Sequence, residues 1–187
     1  MRIGELQRLY DYHYWATGQL LGVVAQLTPE QFTQSVAGSY GSIRNTLVHV
    51  LSAEWGWLDR CGGPRRGERL NSRNFPEVEA LTRAWAQVEA YVRAFLSGLG
   101  DADLGRAIEF TISSGPKQSL PLGDLMLHAA LHAMHHRGQA ALLLRMLGYV
   151  PGGLEFLPYL YQSAGPPGSA PSAPIRLMPG GKRTVGS

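Results

Sequence analysis

Four segments of this chain place an apolar side chain every three or four positions over roughly twenty residues each, the period of one helix face. Such a chain must bury four long faces against one another, which predicts a helix-on-helix architecture. In the first segment Leu6, Leu9, Tyr10, His13, Ala16, Leu20, Val23 and Val24 predict a helix from Glu5 to Leu27. Thr28-Pro29-Glu30-Gln31 then reads as a capping box with proline at the first helical position, opening a short turn. Residues 37–41 read as a loop. Ser42 caps a second long helix, Ile43 to Arg60, which carries Leu47, Val50, Leu51, Trp55 and Leu58 and stops at Cys61-Gly62-Gly63-Pro64. An arginine-rich connection fills 64–75, and Pro76 opens a third helix from Glu77 to Leu99. The fourth runs from Leu122 to Leu147 and ends at Gly148.

Before that last helix, Arg106 to Ser113 alternates in part and is rich in β-branched residues; Gly115-Pro116 and Lys117 to Leu120 follow. This predicts a small β-hairpin or extended excursion. Glu155 to Tyr161 predicts one more helical turn. From 164 the composition shifts to proline, glycine and serine, which cannot supply a packed core. The expectation is therefore an all-α four-helix bundle over 1–163 and a tail over 164–187. A length of 187 residues fits one domain.

Several classes are disfavoured. One cysteine, Cys61, permits neither a disulfide framework nor a thiolate zinc site within the chain. A net charge of +3 without a nucleic-acid-binding motif argues against nucleic acid as partner. No run approaches the length of a membrane span, and the first residues lack the apolar core of a signal peptide, so a cytoplasmic location is expected.

The histidines are the chemically loaded feature. Of six, His128, His132, His135 and His136 lie within nine residues of the fourth helix; His13 and His49 lie on the first and second. Histidines four apart on a helix present their rings from one face. With His132 at zero on a helical wheel, Leu125 and Leu143 fall at about +20°, His136 at about +40° and Leu147 at about +60°. His132 and His136 therefore share the apolar sector, while His128 and His135 fall toward its rim. Two buried imidazoles need partners. Core hydrogen bonds or a shared metal ion satisfy that need equally well on this evidence. His49, flanked on its wheel by Ser52, Ala53 and Gly56, is the candidate third ligand, its small neighbours leaving room for a pocket. Three histidines with water in a fourth position describe an open, catalytic type of site. The HExxH glutamate of zinc proteases is missing from this helix.

The run Leu125 to Gln139, containing His132-Ala-Met-His135-His136-Arg137-Gly138-Gln139, resembles the HxxxHRGQ segment of the DinB-like (YfiT-related) family of metal-dependent enzymes. The run Leu47 to Leu58 is similar to that family's H-x₄-E-x-x-W/L segment. The resemblance spans residues 1–162. It implies a four-helix bundle, a homodimer, and a divalent metal, zinc or nickel, held by His49, His132 and His136. It further implies a hydrolase or a low-molecular-weight-thiol S-transferase acting on a small electrophilic substrate. A non-catalytic, stress-associated metal-binding protein is the alternative. Before His132, where members often carry Asn, this chain has Leu131.

The catalytic residues are not readable; Asp11, Glu54 and Tyr14 are the candidate bases. Arg137 falls away from the metal side of the wheel and is expected to pair a carboxylate or helix end. Gly138 is expected to permit close helix approach. Tyr12, Tyr14, Trp15, Trp55, Trp57 and Trp85 read as core or dimer-interface packing. Cys61 reads as inert. Arg60, Arg65, Arg66, Arg69 and Arg73 read as a solvated basic connection, with an anion contact as the lesser option.

Overall fold

The structure is a computed structural model; it describes residues 1–65, 67–111 and 115–164. Its elements are α1 (Ile3–Val24), α2 (Pro29–Thr33), α3 (Ile43–Arg60), α4 (Val78–Ser97), β1 (Ala107–Thr111), β2 (Lys117–Pro121), α5 (Leu122–Met146) and α6 (Phe156–Ala164). The chain is an all-α four-helix bundle of α1, α3, α4 and α5, with a two-stranded antiparallel hairpin before the last long helix. The expected tail lies outside the described residues from 165 on, as do Arg66 and residues 112–114.

Helix boundaries follow their punctuation. The Asp101 carboxylate accepts from Ile3 N at 2.7 Å, so α1 is capped from across the molecule. It stops at Val24, short of the expected Leu27, because Pro29 pushes the preceding Thr28 into extended backbone and residues 25–27 turn to meet it. Thr28 and Gln31 then form the capping box of α2, with bonds of 3.2 and 3.0 Å. Ser42 Oγ accepts from Asn45 N at 3.0 Å to open α3. Gly148 closes α5 at φ +83, which lets Tyr149 N reach back to Leu144 O at 2.9 Å.

α5 is the centre of the bundle, packed against α3 on one side and α1 on another, with α4 closing over α1 and α3. Leu6, Leu20, Leu47, Leu51, Leu58, Leu81, Leu122 and Leu144 are fully enclosed; truncating any one to alanine costs about 2–5 kcal/mol. Alternation along β1 turns Ile108 and Phe110 inward, and Phe110 packs edge-on against Trp57 of α3 at 5.4 Å. Among the described residues no helix is long and apolar enough to cross a membrane.

Candidate metal centre

α3 brings His49, and α5 brings His132 and His136, to one point between the two helices. His132 Nε2 lies 3.1 Å from His49 Nε2 and 3.1 Å from His136 Nε2. One ligand atom from each residue falls within a sphere where all lie within 4.8 Å of one another. The edge of a tetrahedron of nitrogens at zinc-ligand distances is about 3.3 Å, so the spacing matches the donor set of one small cation. These three residues could hold a metal ion.

The imidazoles are prepared to act as neutral donors. His49 is pushed down to about 4, first by burial, then by the repulsion of His136 and by the charge of Arg69. His132 is also pushed down to about 4, first by burial and then by His136 and the other neighbouring histidines. The charge of Arg69 thus reaches the site from the basic connection.

Outer contacts aim the rings. Gln139 Oε1, a carbonyl acceptor, lies 2.7 Å from His136 Nδ1, which must therefore carry the proton and leave the Nε2 lone pair free. Ser39 Oγ donates to the same oxygen at 2.8 Å, tying the loop before α3 to α5. Gln139 Nε2 donates to His135 Nε2 at 3.0 Å. Tyr40 stacks on the His49 ring at 3.9 Å between centroids, and its hydroxyl lies 2.9 Å from His49 Nε2. Gly38 at φ +90, Ser39 at φ 47 and Gly41 at φ +81 turn the loop back so that Tyr40 covers the site. A left-handed φ is rare for serine, and it stands next to the residue that closes the site. Tyr40 and Gln139 were not singled out from the sequence. The GQ following His136-Arg137 was the signal for the second; no local pattern marks the first.

His128 and His135 are exposed, and His128 packs its ring against Trp57 at 5.1 Å.

The three candidate bases are engaged elsewhere. Asp11 is exposed and pairs with Arg93 at 2.6 Å. Glu54 is buried and accepts from Tyr14 Oη and from His13 Nε2, the latter at 3.1 Å. His13 Nδ1 faces Arg137 Nη1 at 3.1 Å. A guanidinium has only protons to offer, so Nδ1 supplies the lone pair, Nε2 carries the proton, and the imidazole is neutral. His13 thereby links a buried cation to a buried anion. Arg137 does lie away from the three histidines, but it does not pair a carboxylate directly. Its direct partners are His13, Thr17 and Tyr12, because the histidine stands between it and Glu54. Gly138 makes no close helix approach either; a Cβ there would meet nothing within 4 Å. Cys61 is buried and its thiol is pushed up to about 11 by that burial, which leaves it protonated and unreactive.

A four-helix bundle with converging histidines on two facing helices places the chain among helical bundles whose core could hold a metal ion. The DinB family model matches residues 3–169, and the chain belongs to the DinB family. It is 22% identical over 163 residues to Protein DinB of Bacillus subtilis, covering 83% of this chain and 94% of that one. The crystal structure of a DinB-like protein from Bacillus cereus superposes with a TM-score of 0.67 at 22% identity, over 81% of this chain and 97% of the other.

Proposed function

We propose that the chain is a divalent-metal-dependent enzyme, with His49, His132 and His136 as ligands and zinc or nickel as the ion. In this reading it transfers a low-molecular-weight thiol to a small electrophile. The observation that carries the reading is the convergence of three Nε2 atoms, with, among the described residues, the Tyr40 hydroxyl rather than a fourth ligating carboxylate or thiolate beside them. When bound, the ion would supply a Lewis acid that lowers the pKa of a thiol or water in the open position to near neutrality.

The protein's part is orientation and exclusion. Gln139 holds His136 in the required tautomer, Tyr40 shields one side and offers a hydroxyl, and Arg69 adds positive charge that suits an anionic nucleophile. Thiol transfer is favoured over hydrolysis by the fate of Asp11, Glu54 and Tyr14, all held in other contacts. A thiol acidified in place needs no side-chain base, whereas hydrolysis of a poor leaving group calls for one.

The test is consumption of an electrophile by zinc-loaded and nickel-loaded protein with and without added small thiols. Turnover that requires the thiol supports the reading. Turnover without it moves the assignment to a hydrolase. No turnover of electrophiles, esters or amides by metal-loaded protein leaves a non-catalytic metal-binding role.

A further inference from the structure

On another side of α5 a cleft of about 450 Å³ opens between α1, α5 and α6. That size is in the range of small-molecule sites. Leu9, Met134 and Phe156 supply apolar walls, and Gly138 leaves the α5 side without a side chain. Two arginines, Arg137 and Arg145, line the same space, against a single acid, Glu155.

Arg137 is only 4% exposed. Its direct partners are all neutral: His13 Nδ1 at 3.1 Å, Tyr12 Oη at 3.3 Å, and, at longer range, His13 O and Thr17 Oγ1. Tyr12 Oη spends its own proton on Leu154 O at 2.8 Å, so it can only accept from the guanidinium. Burial destabilises this cation; the charge of Glu54 partly offsets that, but Glu54 is hydrogen-bonded to it only by way of His13. A buried cation whose direct partners are all neutral gains from an anion delivered through the open side.

We propose that this cleft is a second binding site, for a small apolar acid whose carboxylate pairs with Arg137 and Arg145 and whose hydrocarbon part lies along Leu9, Met134 and Phe156. The site is separate from the metal centre, since it uses a different face of α5.

The test is displacement of the fluorescent probe anilinonaphthalene sulfonate from the full chain by decanoate, with 1-decanol and decylammonium as controls for the head group. Decanoate is expected to bind once per chain and about tenfold more tightly than either control, the factor of one charge-assisted hydrogen bond. Gly138→Leu, at a position where an added Cβ meets no protein atom within 4 Å, is expected to weaken decanoate about tenfold by filling the cleft. Arg145→Gln should bring decanoate close to decanol. Arg137 itself is left intact because its loss would disturb the buried network. His132→Ala should bind decanoate as the wild type does. Equal binding of decanol, or no saturable binding of decanoate, overturns the proposal. So does loss of decanoate in His132→Ala, which would move the ligand to the metal centre. So does conversion of a dimer to a monomer by Gly138→Leu without decanoate binding, which would make the cleft an interface between copies.

Discussion

Two histidine environments border α3 and α5 of this bundle and behave oppositely. His13 is sealed between α1, α3 and α5, with one ring nitrogen given to a cation and the other to an anion. His49, His132 and His136 are gathered between α3 and α5, and their Nε2 atoms face one another. Burial alone does not separate them, since His136 is buried as well. What separates them is the remaining valence. A histidine with one nitrogen on a buried cation and the other on a buried anion is locked by protein, whereas three whose Nε2 atoms converge on one another could share a cation.

The comparison breaks most visibly at the metal centre. His132→Ala is expected to abolish stoichiometric zinc or nickel, read by mass spectrometry of digested protein, while His13→Ala retains the metal. Equal loss in both variants would erase the distinction. Next comes the buried network. Glu54→Ala strips the anion from Arg137 and should cost about 3–5 kcal/mol of stability in denaturant unfolding, with the metal-to-protein ratio unchanged.

Gln139→Leu sharpens the contrast from the other side. It removes the acceptor that fixes the His136 tautomer, and metal affinity should fall about 10–100-fold while the apo fold keeps its melting temperature. A variant with wild-type affinity would show that Gln139 does not orient the ring.

The smallest effect is the pH response of the metal-free chain. His49 and His132 titrate near 4 when folded, below the ordinary value near 6.5. Between those values the unfolded chain takes up protons that the folded chain refuses. Stability is therefore full above about pH 6.5 and declines as pH falls toward 4. The rings are only partly buried, so solvent screening keeps the shift in Tm to a few degrees. The double variant His49→Gln/His132→Gln should show a flatter profile.

The helices were legible where local chemistry decides them. Ser42 and Gly62 bracket α3 at the expected residues, and the wheel put His132 and His136 on the inner face of α5. The hairpin was legible from β-branched alternation, in register Ala107 with Pro121 through Thr111 with Lys117. What escaped was set by contacts between distant segments. Tyr40 reaches the site because three left-handed backbone positions fold its loop back, and only one of the two flanking glycines sits next to it. Glu54 looked like a base because acids near metal ligands often are; its position five residues after His49 turns it toward α1 instead. Arg137 was placed on the correct side, but a histidine as go-between to its acid has no signature in a one-helix projection.

His136 and Arg137 are adjacent in the chain, about 100° apart around α5, and serve different faces of it. The helix is thus a shared axle. Side chains extend about 6 Å from a helix axis, so a roll of about 10° carries each tip sideways by about 1 Å. A displacement of that size is enough to spoil a ligand set or a guanidinium contact. Any force that turns α5 is transmitted to both faces together, so neither site can be retuned mechanically without registering at the other.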